Sequence, residues 1–273
     1  MLEANPFAGV AGSLSPDFMK VFLIVMVIAV VVGTLFDIVH KGSARYFFMN
    51  WRRSRGRVKR PLGGGDMLGI AARTAVVDVL ASGEFCNPRR RIAHLLGMYG
   101  FVLYIVATAV MVFAYPTNAQ PGIWPALWWI GAAMVMLGGY WFWFFIRVDV
   151  AAEGHTPFRV VKADLFILSL LASTTLGALW ACRGGGIGIL FWLYLLATAV
   201  LFFGVPWSKF AHMFFKPAAA FDKRISRADG TAENLPTQSR DDPEQQKRHS
   251  MELLRDAPMD MGLGIKREAP RHY

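Results

Sequence analysis

"RRRIAHLLGMYGFVLYIVATAVMVFAY", residues 89–115, opens on three arginines and then carries no Lys, Arg, Asp or Glu to its end. A bilayer core of roughly 30 Å takes about 20 apolar residues in helical form. Within hydrocarbon a single segment can satisfy its own backbone only as a helix. The stretch therefore predicts a transmembrane helix with a basic collar. The same pattern recurs along the chain. Its 273 residues are 55% hydrophobic and 14% aromatic, with a mean hydropathy of +0.37. Five spans are expected: Phe18 to Val39, Ile92 to Tyr115, Ile123 to Ile146, Leu165 to Cys182 and Ile187 to Trp207. The first is too long for a cleaved leader and is kept as a helix. The expected fold is all-α, an integral membrane bundle of five transmembrane helices.

Charge sets the expected orientation. Of 29 Lys and Arg, all but Lys20 and Arg183 fall in the loop from Lys41 to Arg91, in the turn holding Arg147, Arg159 and Lys162, or after the fifth span. The positive-inside rule then places the N-terminus outside and the C-terminus in the cytoplasm, with a bacterial inner membrane as the natural setting. The net charge of +10 is topogenic and suits anionic lipids. Because the basic clusters flank spans rather than form a groove, nucleic acid is not an expected partner.

Outside the spans, residues 41–91 read as an interfacial segment. "YFFMNWRRSRGRVKR", Tyr46 to Arg60, joins aromatics to dense positive charge and suits the headgroup region. Met67 to Phe85, interrupted by Arg73 and Asp78, is too short to span and reads as an interfacial helix. The expected division is a transmembrane domain over residues 1–216 and a polar tail over 217–273. The tail reads as mostly extended, with one helical candidate in "DDPEQQKRHSMELLRD", where Asp242 can cap and Pro243 fills the first turn. Cys86 and Cys182 fall at opposite ends of spans, so no disulfide is expected. The glycine runs at 63–65 and 184–186 lack a following GK[ST] and read as turns rather than phosphate cradles.

Four of six histidines, His40, His94, His155 and His212, fall at the basic ends of spans or in the turn between them. His40 and His155 read as interfacial residues. His94 is followed by Gly97 and Met98 one turn along its face, with Phe101 beyond, which relieves that face of bulk. Gly204, Ser208 and His212 recur every four residues, a small-residue stripe ending in an imidazole. A haem b held by two axial imidazoles from different helices needs room between backbones and a neutral ring nitrogen from each. His94 and His212 are thus the candidate metal ligands, with Gly97, Gly204 and Ser208 shaping the site. Arg89, Arg90 and Arg91 are candidate partners for propionates, although such a run before a span is topogenic by default.

"RRRIAHLLGMYGF" opening the second span and "PWSKFAHMFFKPA" closing the fifth resemble the cytochrome b subunits of the nitrate reductase gamma type. They resemble still more the membrane subunits of quinone-interacting and heterodisulfide-reductase-like complexes. The reduced histidine set and basic tail resemble in form the membrane subunits that accompany dissimilatory adenylylsulfate reductase. The resemblance covers roughly residues 18–220 and implies electron exchange between quinone and a cytoplasmic flavin or iron-sulfur oxidoreductase. Where that family carries a second ligand pair, this chain has Tyr104 and Tyr194, so one haem at most is expected.

The leading expectation is therefore an anchor and electron-transfer subunit with haem b and quinone, non-catalytic or semi-catalytic. A haem-free anchor that only docks the soluble enzyme stands second. A transporter stands third, because no internal repeat, deep charge or broken helix pair is evident.

Overall fold

The computed structural model describes residues 2–83, 85, 87–147, 158–208 and 215–231. The described residues are all-helical, without strands. Helix α1 spans Pro6–Ser13, α2 Pro16–Lys41, α3 Ser43–Arg55, α4 Gly64–Arg73, α5 Pro88–Phe113, α6 Trp124–Trp141, α7 Leu165–Cys182, α8 Ile189–Gly204 and α9 Lys216–Ala228. Five helices are long and apolar enough to cross a membrane: α2, α5, α6 with its π-helical continuation to Ile146, α7, and α8 with a 3-10 turn to Trp207. Their ends agree with the sequence reading to within a helical turn, and the chain is read as a multi-pass membrane protein.

The helix ends follow local chemistry. Ser15 caps α2, its Oγ accepting from the Asp17 amide, with Pro16 in the first turn, where a missing N–H costs nothing. Gly42, at φ 63°, ends the helix in the left-handed region. Between α7 and α8, Gly184, Gly185 and Gly186 all have positive φ. A Cβ on Gly185 would also strike the Pro6 carbonyl oxygen, so that run is a turn built for close approach.

The chain forms two compact units. The first comprises residues 1–43 and 88–213. Its core is aromatic: Trp128 and Phe191 are fully buried, Phe7 lies 5.3 Å from Trp180, and Trp180 stacks on Tyr194 at 5.5 Å. Helices α5 and α6 pack closely through glycines. A Cβ on Gly131 would lie 2.6 Å from the Tyr104 amide nitrogen, and one on Gly100 would lie 2.8 Å from the Val135 nitrogen. Such small-residue seams let backbones approach where water supplies no hydrophobic drive. The loop ends are tied by Asn5, whose amide donates to the carbonyls of Tyr115 and Asn118.

The second unit comprises residues 44–87 and 214–273. This division differs from the expected one, because residues 44–87 fold with the stretch after the fifth span. Arg224 on α9 donates from Nε and Nη2 to Asp78 at 2.7 and 2.8 Å. The amides of Lys59 and Arg60 both donate to the Asp229 carbonyl, and Trp51 stacks on Phe221. The expectation of an extended tail is thus corrected over residues 216–228, where Pro217 sits in the first turn of a helix with a buried Ile225 and Ser226. The helical candidate at 241–256 lies outside the described residues. Asp78 follows the first span and Arg224 the fifth, so their bond requires an even number of crossings between them. The four helices α5 to α8 provide it, in accord with five spans in all.

The Arg224 guanidinium, chiefly by hydrogen bonding, holds the Asp78 carboxyl below its ordinary range against a smaller opposing effect of burial. A depressed carboxyl stabilises the fold above its unfolded-state value and loses that contribution as pH falls through the folded one. Asp78→Asn should therefore destabilise this unit by about 1 kcal/mol at neutral pH, the figure for a partly exposed bidentate pair, and by progressively less at acid pH, as the pH falls through the lowered folded value. Amide exchange of α9 measured at neutral and at acid pH checks this. An equal loss at both would show that the charge contributes nothing.

Candidate functional site

His94 stands in the second turn of α5 with an exposed side chain. A Cβ on Gly97 would meet no atom within 4 Å, unlike Gly100 and Gly131 in the same helix pair. Gly97 therefore borders open space. From His94, the residues at helical spacing are Gly97 and Met98, then Phe101, then Tyr104 and Ile105, then Thr108. At 1.5 Å per residue, Tyr104 lies about 15 Å deeper than His94 along the helix.

On the other side of the proposed site, the small-residue stripe is corrected. Helix α8 ends at Gly204 and Pro206 stands in the following 3-10 turn. Ser208 is extended, and its Oγ donates to the Val205 carbonyl at 2.9 Å. A proline interrupts the i to i−4 ladder, so Gly204 and Ser208 do not continue along one helical face. Gly204 is open, its nearest neighbour being a Leu165 methyl at 3.7 Å from a built Cβ. His212, like His155, lies outside the described residues. Arg90 donates from Nη2 to the Ile146 carbonyl at 3.4 Å, at the end of the third span. That contact is one a cation makes with the exposed carbonyls of a helix C-terminus. Arg89 and Arg91 flank it in the first turn of α5. His40 is exposed near the end of α2 and stacks on Phe36 with ring centroids 5.6 Å apart.

Tyr104 and Tyr194 converge. A Cβ on Gly177 would lie 2.6 Å from Tyr104 Oη and 3.1 Å from Tyr194 Cε2, so both phenols close over that glycine. Tyr104 packs on Trp128 at 4.9 Å, and Trp128 donates from Nε1 to Thr108 Oγ1. These rings fill the space between α5, α7 and α8 at this depth. Beside them lies a cavity of about 250 Å³ between α2, α5, α7 and α8. Its walls include Phe101, Tyr104, Tyr194 and Phe202, and its rim includes Ile24 and Val27, both exposed on α2. Phe101 and Phe202 approach to 6.4 Å. The cavity falls just below the roughly 300–1,000 Å³ of ordinary ligand pockets. It has room for a small ring system.

Two ion pairs in this unit were not anticipated. Asp37, only 3% exposed, pairs with Lys41 Nζ at 2.7 Å near the end of α2. Its i,i+4 spacing was readable in sequence. Arg147 pairs with Asp164 through two nitrogens, and its guanidinium lies over Trp143 at 4.1 Å. No sequence spacing signals that pair, because 17 residues separate its members. No group of three or more His, Cys, Asp or Glu fit to hold a bare metal ion occurs among the described residues. No family model, no curated protein and no solved structure matches this chain.

Proposed function

We propose that this chain is the membrane anchor and electron-transfer subunit of a quinone-linked oxidoreductase, with one haem b held by His94 and His212. The observation that carries the reading is the single face of α5 that runs from His94 past the open Gly97 and past Phe101 to the aromatic cavity. His94 offers an imidazole nitrogen at the basic end of that face, and Gly97 leaves room beside it. A haem bound there would act as a one-electron carrier. The deeper position is closed by Tyr104 and Tyr194 over Gly177, which favours one haem over two.

The cavity suits a quinone ring. Its walls are apolar and aromatic, and its rim includes lipid-facing residues of α2, so a molecule dissolved in the bilayer reaches it without crossing water. The partner on the basic side is a flavin or iron-sulfur oxidoreductase of the adenylylsulfate reductase kind. The N-terminus is outside and the basic unit faces the cytoplasm of a bacterial inner membrane, in keeping with the charge asymmetry.

The purified chain is expected to give a haemochrome signal of one haem b per chain, lost in His94→Ala and in His212→Ala. Two haems, or one haem retained when both histidines are replaced, would refute this ligand assignment. A chain with no haem that still co-purifies with the soluble enzyme would instead be a bare anchor.

A further inference from the structure

Helix α3 buries one face and leaves the other uncovered. Phe47, Trp51 and Ser54 point inward, Trp51 onto Phe221. The opposite face carries Arg45, Tyr46, Phe48, Met49, Arg52 and Arg53, with Tyr46 63% and Phe48 60% exposed. Large aromatic side chains facing outward beside arginines need a surface that is both apolar and anionic. Among the described residues none of these three arginines makes an ion pair.

We infer that this face of α3 lies on the bilayer and binds anionic phospholipid headgroups. Three observations select lipid over a protein. The segment 44–87 is joined directly to a span at each end, α2 ending at Lys41 and α5 starting at Pro88, so α3 begins at the membrane surface. The helix is ordered along its length: its first two turns hold Tyr46, Phe48 and Met49, and its last holds Arg52, Arg53 and Arg55. That is the composition with which an interfacial helix sinks rings to the acyl boundary and leaves guanidinium groups at the phosphates. Finally, the unit's charge is one-sided. Its described part carries Asp66, Asp78, Asp222 and Asp229 against twelve Lys and Arg, and Asp78 is already engaged by Arg224. Juxtamembrane clusters of this size attract acidic lipid, each cation near the surface adding to the attraction. The inference stands without the haem or the quinone, and fails or holds separately from them.

The test is amide exchange over residues 45–55 of the full chain. It is run in nanodiscs of phosphatidylcholine alone and of phosphatidylcholine mixed with phosphatidylglycerol. Exchange should be about tenfold slower in the anionic discs, and the difference should vanish at high salt, where surface charges are screened. The triple variant R45Q/R52Q/R53Q should lose the difference while the α9 amides near Arg224 stay as protected as in the parent, which shows that the unit still folds. The double variant Phe48→Ser with Met49→Ser should exchange faster in both kinds of disc. Equal exchange in the two discs, or anionic protection that survives the triple variant, overturns the inference. So does protection that appears only when the soluble enzyme is added, because the face would then belong to a protein.

Discussion

If the chain links a soluble oxidoreductase to quinone as proposed, the variant His94→Leu should keep membrane abundance near the parent level while quinone-linked turnover of that partner falls to background. The imidazole is exposed at the basic end of α5, where either an imidazole or a leucine costs little on insertion. Orientation is held by the basic first turn, where Arg90 also reaches the Ile146 carbonyl. Unchanged abundance would separate loss of turnover from loss of the bundle. His94→Ala should behave alike, and neither variant should change the amide exchange of α9. Immunoblotting of membranes beside a quinone-reduction assay decides the matter. Normal turnover in a haem-depleted His94→Leu chain would remove electron transfer through this residue and leave only the anchor.

The second large effect concerns Gly131. A Cβ there would sit 2.6 Å from the Tyr104 nitrogen and 2.8 Å from the Gly100 oxygen, both backbone atoms that cannot swing aside. Gly131→Ala must push α5 and α6 apart, at a cost near the top of the roughly 1–3 kcal/mol of ordinary overpacking, and Gly131→Leu should prevent accumulation. Gly97→Ala is the matched control. Its Cβ meets nothing within 4 Å, and alanine is the better helix former, so its stability should stay within about 0.5 kcal/mol of the parent. Unfolding titrations in mixed micelles would compare them. Similar stabilities for Gly131→Ala and Gly97→Ala would mean that the α5–α6 seam is looser than its geometry.

The spans were legible because the bilayer imposes a length and an apolar composition on any helix that crosses it. Residues 89–115 alone show both, together with the charge that marks one end. His94 was legible too, as an ionisable residue at a helix mouth, and Gly97 as relief of bulk beside it. The spacing of Gly204 and Ser208 was misleading for a local reason. Regular spacing was read through Pro206, which breaks the helix after Gly204 and turns Ser208 off its face. Tyr104 and Tyr194 could be counted in sequence, but not their convergence on Gly177, which is set by three helices at once.

By itself the sequence determined the class of the molecule, the number of helices long and apolar enough to cross a membrane, and the basic clusters that bound them. These are one-dimensional properties: hydropathy summed over a window, and the sign of the residues that bound it. The tertiary structure alone decided which segments share a unit. Asp78 and Arg224 stand 146 residues apart, and nothing local to either predicts the other. It also decided that Phe47 and Trp51 face inward while Phe48 and Arg52 face out. An amphipathic helix with aromatics on both sides has two candidate inner faces, and only the arrival of Phe221 from the far end of the chain chooses between them.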